Sequence, residues 1–60
     1  MKDYSLEGKR IAVHCWTNTQ GAYSIIGKYL SEGANFIRII SDDNKVVLIP
    51  ISYIVQAVEL

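Results

Sequence analysis

Cysteine, proline and histidine each occur once in these 60 residues. A lone Cys15 excludes an intrachain disulfide and any multi-cysteine zinc site. Charge of one sign is missing as well: six basic residues balance six acidic ones, and neither sign forms a run. Strong non-specific nucleic-acid binding needs several lysines or arginines on one face, which the overall charge does not advertise. No long apolar run occurs either. The longest, Val46 to Ile51, falls far short of the ~20 residues a membrane helix requires, so no membrane partner is expected. Met1 is followed by polar Lys2-Asp3-Tyr4-Ser5, so no secretory leader is expected. With one thiol, the expected setting is cytoplasmic.

What is present is hydrophobicity, at 50% of the residues. The chain reads as one small domain over 1–60. A body this size buries only about 60% of its unfolded surface. Such domains are held by disulfides, metals or oligomerisation, and the apolar surplus points to the last.

Apolar alternation predicts five short strands. Gly8 precedes KRIAVHCWT, in which Ile11, Val13 and Cys15 share one face and Ala12, His14 and Trp16 the other. Thr17 to Gly21 is turn chemistry. Tyr23 to Ser31 reads as a second strand with Gly27 at its centre, where a glycine marks a bend or close backbone approach. AYSIIGKYL, residues 22–30, also carries apolar residues at helical spacing, which would make the fold α+β. A turn at Glu32-Gly33-Ala34 leads to a strand over Asn35–Ser41, rich in β-branched residues. Asp42-Asp43-Asn44 is the next turn. Val46 to Pro50 and a strand from Ile54 close the chain around Ile51-Ser52-Tyr53, about one helical turn. Met1 to Glu7 reads as a short turn or helical lead-in.

This order resembles the Sm-like family over roughly Leu6 to Leu60: a strand opened by GKRIAV, a strand bent at Gly27, FIRII, KVVLIP, one helical turn and IVQAVEL. The resemblance implies an all-β, strongly bent five-stranded antiparallel barrel assembled into a homo-oligomeric ring. It also implies single-stranded RNA as a ligand. Glu32 and Asn35 stand near the family's aspartate and asparagine, while Ile49-Pro50-Ile51 replaces its Arg-Gly. IPISYI is similar to the segment that closes Src-homology-type barrels, without that family's paired tryptophan. The two resemblances agree on a small barrel and differ on function.

Candidate residues follow from chemistry. Aromatics beside arginine on a sheet can stack bases, each worth roughly 1–3 kcal/mol, which selects Trp16, Tyr29 and Arg38 as RNA or ligand contacts. Lys28 joins them for phosphate contact, and Asn35 as the Sm-like resemblance implies. The same aromatics suit a core or a subunit interface. Both faces of the last strands are apolar, and Val47, Ile49, Ile51 and Tyr53 are the expected oligomer interface. Asn18, Gln20 and Tyr29 are alternative contacts for a small ligand held between subunits, and a protein target met through an apolar surface is a further alternative. His14 and Cys15 point to opposite strand faces, so they cannot form a catalytic pair. Asp42-Asp43 reads as turn rather than cation site, and Gly21, Gly27 and Gly33 as bends rather than a phosphate loop. No catalytic set, metal or cofactor is expected.

Overall fold

Alternation along β1 (Arg10–Thr17) buries Ile11, Val13 and Cys15 and leaves His14 and Trp16 outside. The computed structural model describes residues 7–60; the lead-in expected over Met1 to Glu7 lies largely outside them. After β1 come β2 (Gly21–Glu32), β3 (Phe36–Ser41), β4 (Val46–Pro50), a 3-10 turn (Ile51–Tyr53) and β5 (Ile54–Glu59). All neighbours pair antiparallel in one sheet of order β4-β3-β2-β1-β5. The fold is all-β. Residues 22–30 are strand throughout, so the helical alternative does not apply.

Why the sheet curls is visible at Gly27. It pairs with Ile11 on one side and Ser41 on the other. A Cβ there would stand 2.5 Å from the Ile40 carbonyl oxygen and 3.2 Å from Ile39 Cδ1. Only glycine lets the β3 backbone come so close. A register slip between Tyr29 and Ser31 adds a second bend in β2. The 12-residue strand thus pairs β1 with its first part and β3 with its last.

The connection from β4 to β5 requires the curl. These edge strands would be about 19 Å apart across a flat sheet. Four Cα steps join Pro50 to Ile54 and could reach at most about 14 Å, and here they wind through a 3-10 turn. Closure is incomplete: among the described residues no ladder joins β4 to β5, and the barrel stays open.

Inside the curl lie Ile11, Val13, Cys15, Ile37, Ile39 and Ile49, with Tyr23, Ile25, Tyr29, Val47 and Ile54 packed against them. Each large aliphatic contributes roughly 1.5–3 kcal/mol by burial. Two hairpins each use a left-handed residue: Gly21 (φ 71) where the β1–β2 turn enters β2, and Asn44 (φ 66) in the β3–β4 turn, whose N–H donates to the Ser41 carbonyl at 2.9 Å. Across the sheet, Arg10 donates to both Asp42 carboxylate oxygens at 2.9 and 3.1 Å, clamping the start of β1 to the β3–β4 turn. Those hydrogen bonds, and then the charge attraction, hold the Asp42 carboxyl below its ordinary 3.8 and raise Arg10.

Two outcomes follow. Gly27→Ala should lower stability by about 1–3 kcal/mol, as overpacking does, with melting falling about 4–8 °C for each kcal/mol. Gly33→Ala, whose Cβ would meet nothing nearer than 3.7 Å, should change it by under about 0.5 kcal/mol; equal losses in thermal melts would refute the close-approach account. Asp42 has a depressed folded pKa, so its contribution is present above pH 3.8 and shrinks as pH falls below that value. Asp42→Asn should therefore lose less stability than wild type on acidification in denaturant titrations. The difference should fade in high salt, since the pair is exposed.

Candidate functional site

The end of the sheet at the 3-10 turn gathers residues that are far apart in the chain. Thr17 Oγ1 accepts a hydrogen bond from the Gln20 N–H at 3.0 Å, which fixes the β1–β2 loop beside Trp16. The Ile51 N–H donates to the Asn35 carbonyl at 2.9 Å, tying the 3-10 turn to the β2–β3 turn. Trp16 and Asn35 thereby stand on either side of that turn. One hollow of about 360 Å³ lies among Trp16, Thr17, Asn18, Thr19, Ser52 and Tyr53. A second, of about 480 Å³, shares Ser52 and is lined by Ala34, Asn35, Phe36, Pro50 and Ile51. Among the described residues, neither has a charged side chain in its wall. Behind Trp16 a third hollow of about 420 Å³ runs past His14, Ser24, Tyr23 and Val55. The indole is 52% exposed and stands between two of these hollows.

Of the five residues expected to contact RNA, the rim unites only Trp16 and Asn35. Lys28 and Arg38 occupy the outer face of β2 and β3: Lys28 opposes Ile40, and Arg38 opposes Leu48 and donates to Ser31 Oγ at 3.2 Å. They are diagonal neighbours on that face. Tyr29 turns inward. Its ring packs on the core and its hydroxyl donates to Glu32 Oε1 at 2.9 Å; burial first, then that bond, pushes its phenol up. Asn18 reaches the rim, whereas Tyr29 lies beyond the Gly27 bend, so the expected set of Asn18, Gln20 and Tyr29 is not assembled within one chain.

The interface expectation is corrected at β4. Ile49 is 1% exposed in the core and Val47 packs against that core. Val46 and Leu48 form the outward apolar face instead, at 60% and 53% exposure. The cause is the β3 partner: Ile49 and Val47 oppose buried Ile37 and Ile39, while Leu48 opposes Arg38, a side chain that must stay in water. Ile51 and Tyr53 are exposed, as an interface requires.

One pairing has no signature in the sequence. His14 Nδ1 lies 2.8 Å from Ser24 Oγ, a pair placed together only by the β1–β2 register. On its other side His14 opposes Gln56, not a carboxylate that could orient the ring for proton transfer. The bond therefore fixes two exposed side chains beside Trp16. Cys15 is buried. Near it, burial and then the thiol raise the Tyr23 phenol. Among the described residues no cluster of three or more potential metal ligands occurs, and no helix is long and apolar enough to cross a membrane. Comparison with protein-family models, curated proteins and solved structures finds no match to this chain.

Proposed function

We propose that this chain is a non-catalytic binding module that works as an assembly of its own copies. The observation that carries this reading is the pair of open edges. Among the described residues, β4 offers an unpaired ladder beside Val46 and Leu48, and β5 offers another beside Val55, Val58 and Leu60. Unpaired edges with exposed apolar side chains are joining surfaces. The two edges differ, so β4 of one copy meets β5 of the next in a head-to-tail contact, which closes into a ring when the rotation allows. A 60-residue body with no disulfide gains from this what its own core lacks.

Single-stranded RNA is the ligand this reading takes first. Lys9 and Arg10 are occupied by Glu59 and Asp42, and Lys28 and Arg38 are in neither pair. These two, with exposed Phe36 two residues from Arg38, form a small cationic and aromatic face. Phosphates would meet the cations and a base would stack on the ring.

Light scattering at micromolar concentration should give a multiple of the single-chain mass. Leu48→Lys combined with Val58→Lys should reduce it toward one chain, by placing charge on both edges. A single-chain mass for the wild type would sink the assembly reading. For RNA, Lys28→Ala with Arg38→Ala should weaken binding and reduce the slope of log affinity against log salt by about 1.4, which is ~0.7 for each of two phosphates no longer neutralised. An unchanged slope removes both residues from the RNA-binding face.

A further inference from the structure

We infer that the rim around the 3-10 turn is a binding site for a neutral oligosaccharide. This site borders the RNA face at Phe36 and the β4 edge at Pro50, and it requires neither RNA nor assembly.

Three exposed aromatic rings, Trp16, Tyr53 and Phe36, border two hollows that share Ser52. Their polar members are amides and hydroxyls: Thr17, Asn18, Thr19, Ser52 and Asn35, besides the Tyr53 phenol. Among the described residues no charged side chain lines either hollow. A phosphate or carboxylate ligand would find no counter-ion there, and burying an unpaired charge is unfavourable. A pyranose ring meets this wall on its own terms. Its C–H face packs flat on an aromatic ring, and its hydroxyls exchange hydrogen bonds with side chains that both donate and accept.

Size favours more than one sugar. The hollows, about 360 and 480 Å³, each fall within the range of small-ligand sites. Ser52 stands in the wall of both, so they lie on adjoining sides of one turn, each with an aromatic ring. The support beneath is preset: Thr17 and Gln20 lock the loop that carries Asn18 and Thr19, and the Ile51–Asn35 bond locks the turn that carries Ser52 and Tyr53. Little ordering is therefore required when a ligand arrives.

Trp16 is the only tryptophan, so its emission reports on the site directly. The full chain is titrated with cellotetraose, chitotetraose and maltotetraose, and separately with a uridine and an adenosine oligoribonucleotide, at low and high salt. The expected result is a saturable change in emission with at least one tetrasaccharide, with affinity unaltered by salt. Tyr53→Ala, which keeps the reporter, should weaken it about tenfold, equivalent to about 1.4 kcal/mol; Lys28→Ala with Arg38→Ala should leave it unchanged. No response to any tetrasaccharide overturns the inference. So does a response that appears only with RNA and falls steeply with salt, an outcome that would move the RNA site to this rim. Saccharide binding without RNA binding would leave this inference standing while the RNA reading fails.

Discussion

At Gly27 two backbones pass so closely that a single methyl group has no room, its carbon falling 2.5 Å from the Ile40 carbonyl oxygen. The curl of the sheet depends on that approach. Because β2 bends there, it can serve β1 with its first part and β3 with its last, and β3 folds over the core instead of extending the sheet sideways. The bend also carries the far edge round until Pro50 can reach Ile54 through a single 3-10 turn. Without it, the two edge strands would be too far apart for so short a connection. Core, rim and edges are thus consequences of one position where a side chain is forbidden.

The curl stops short of closure, and this is where structure turns toward function. A closed barrel has no edges, whereas among the described residues this sheet keeps two. Both carry outward aliphatics that the chain's own core does not use. The rim is separated from those edges by chemistry: its rings are interleaved with hydroxyls and amides. Aliphatic edges suit a permanent contact between copies, and an uncharged aromatic rim suits a ligand that comes and goes. The small cationic face at Lys28 and Arg38 lies on the outer side of β2 and β3 and meets the rim only at Phe36. This division of surfaces gives a chain with no net charge three chemically distinct faces.

Legibility followed the reach of each signal. The break at Pro50, the turn at Ile51-Ser52-Tyr53 and the strand from Ile54 were readable because proline and β-branched residues act locally. Gly27 was readable as a bend, though not as the place where Ile40 comes in. The helical spacing of residues 22–30 was overruled by partners on both sides, which no local period reveals. β4 failed differently. Both of its faces are apolar, so alternation could not say which turned inward. Arg38 on the outer face of β3 held the answer, but reaching it required the β3–β4 register. The His14–Ser24 bond and the meeting of Trp16 with Ser52 and Tyr53 were hidden for the same reason.

By itself, then, the sequence determined the extended segments on either side of residues 22–30, where the chain turns, that Gly27 marks a bend or close approach, and that Cys15 faces away from His14. Those properties live in neighbouring residues, in dihedral preference and in the two-residue period of a strand. Tertiary structure alone decided which apolar face of β4 is core, that the sheet remains open, and that Asn35 and Trp16 flank one turn while Lys28 and Arg38 sit elsewhere. These depend on register and on the path of the curl, which arise only when strands meet across the fold.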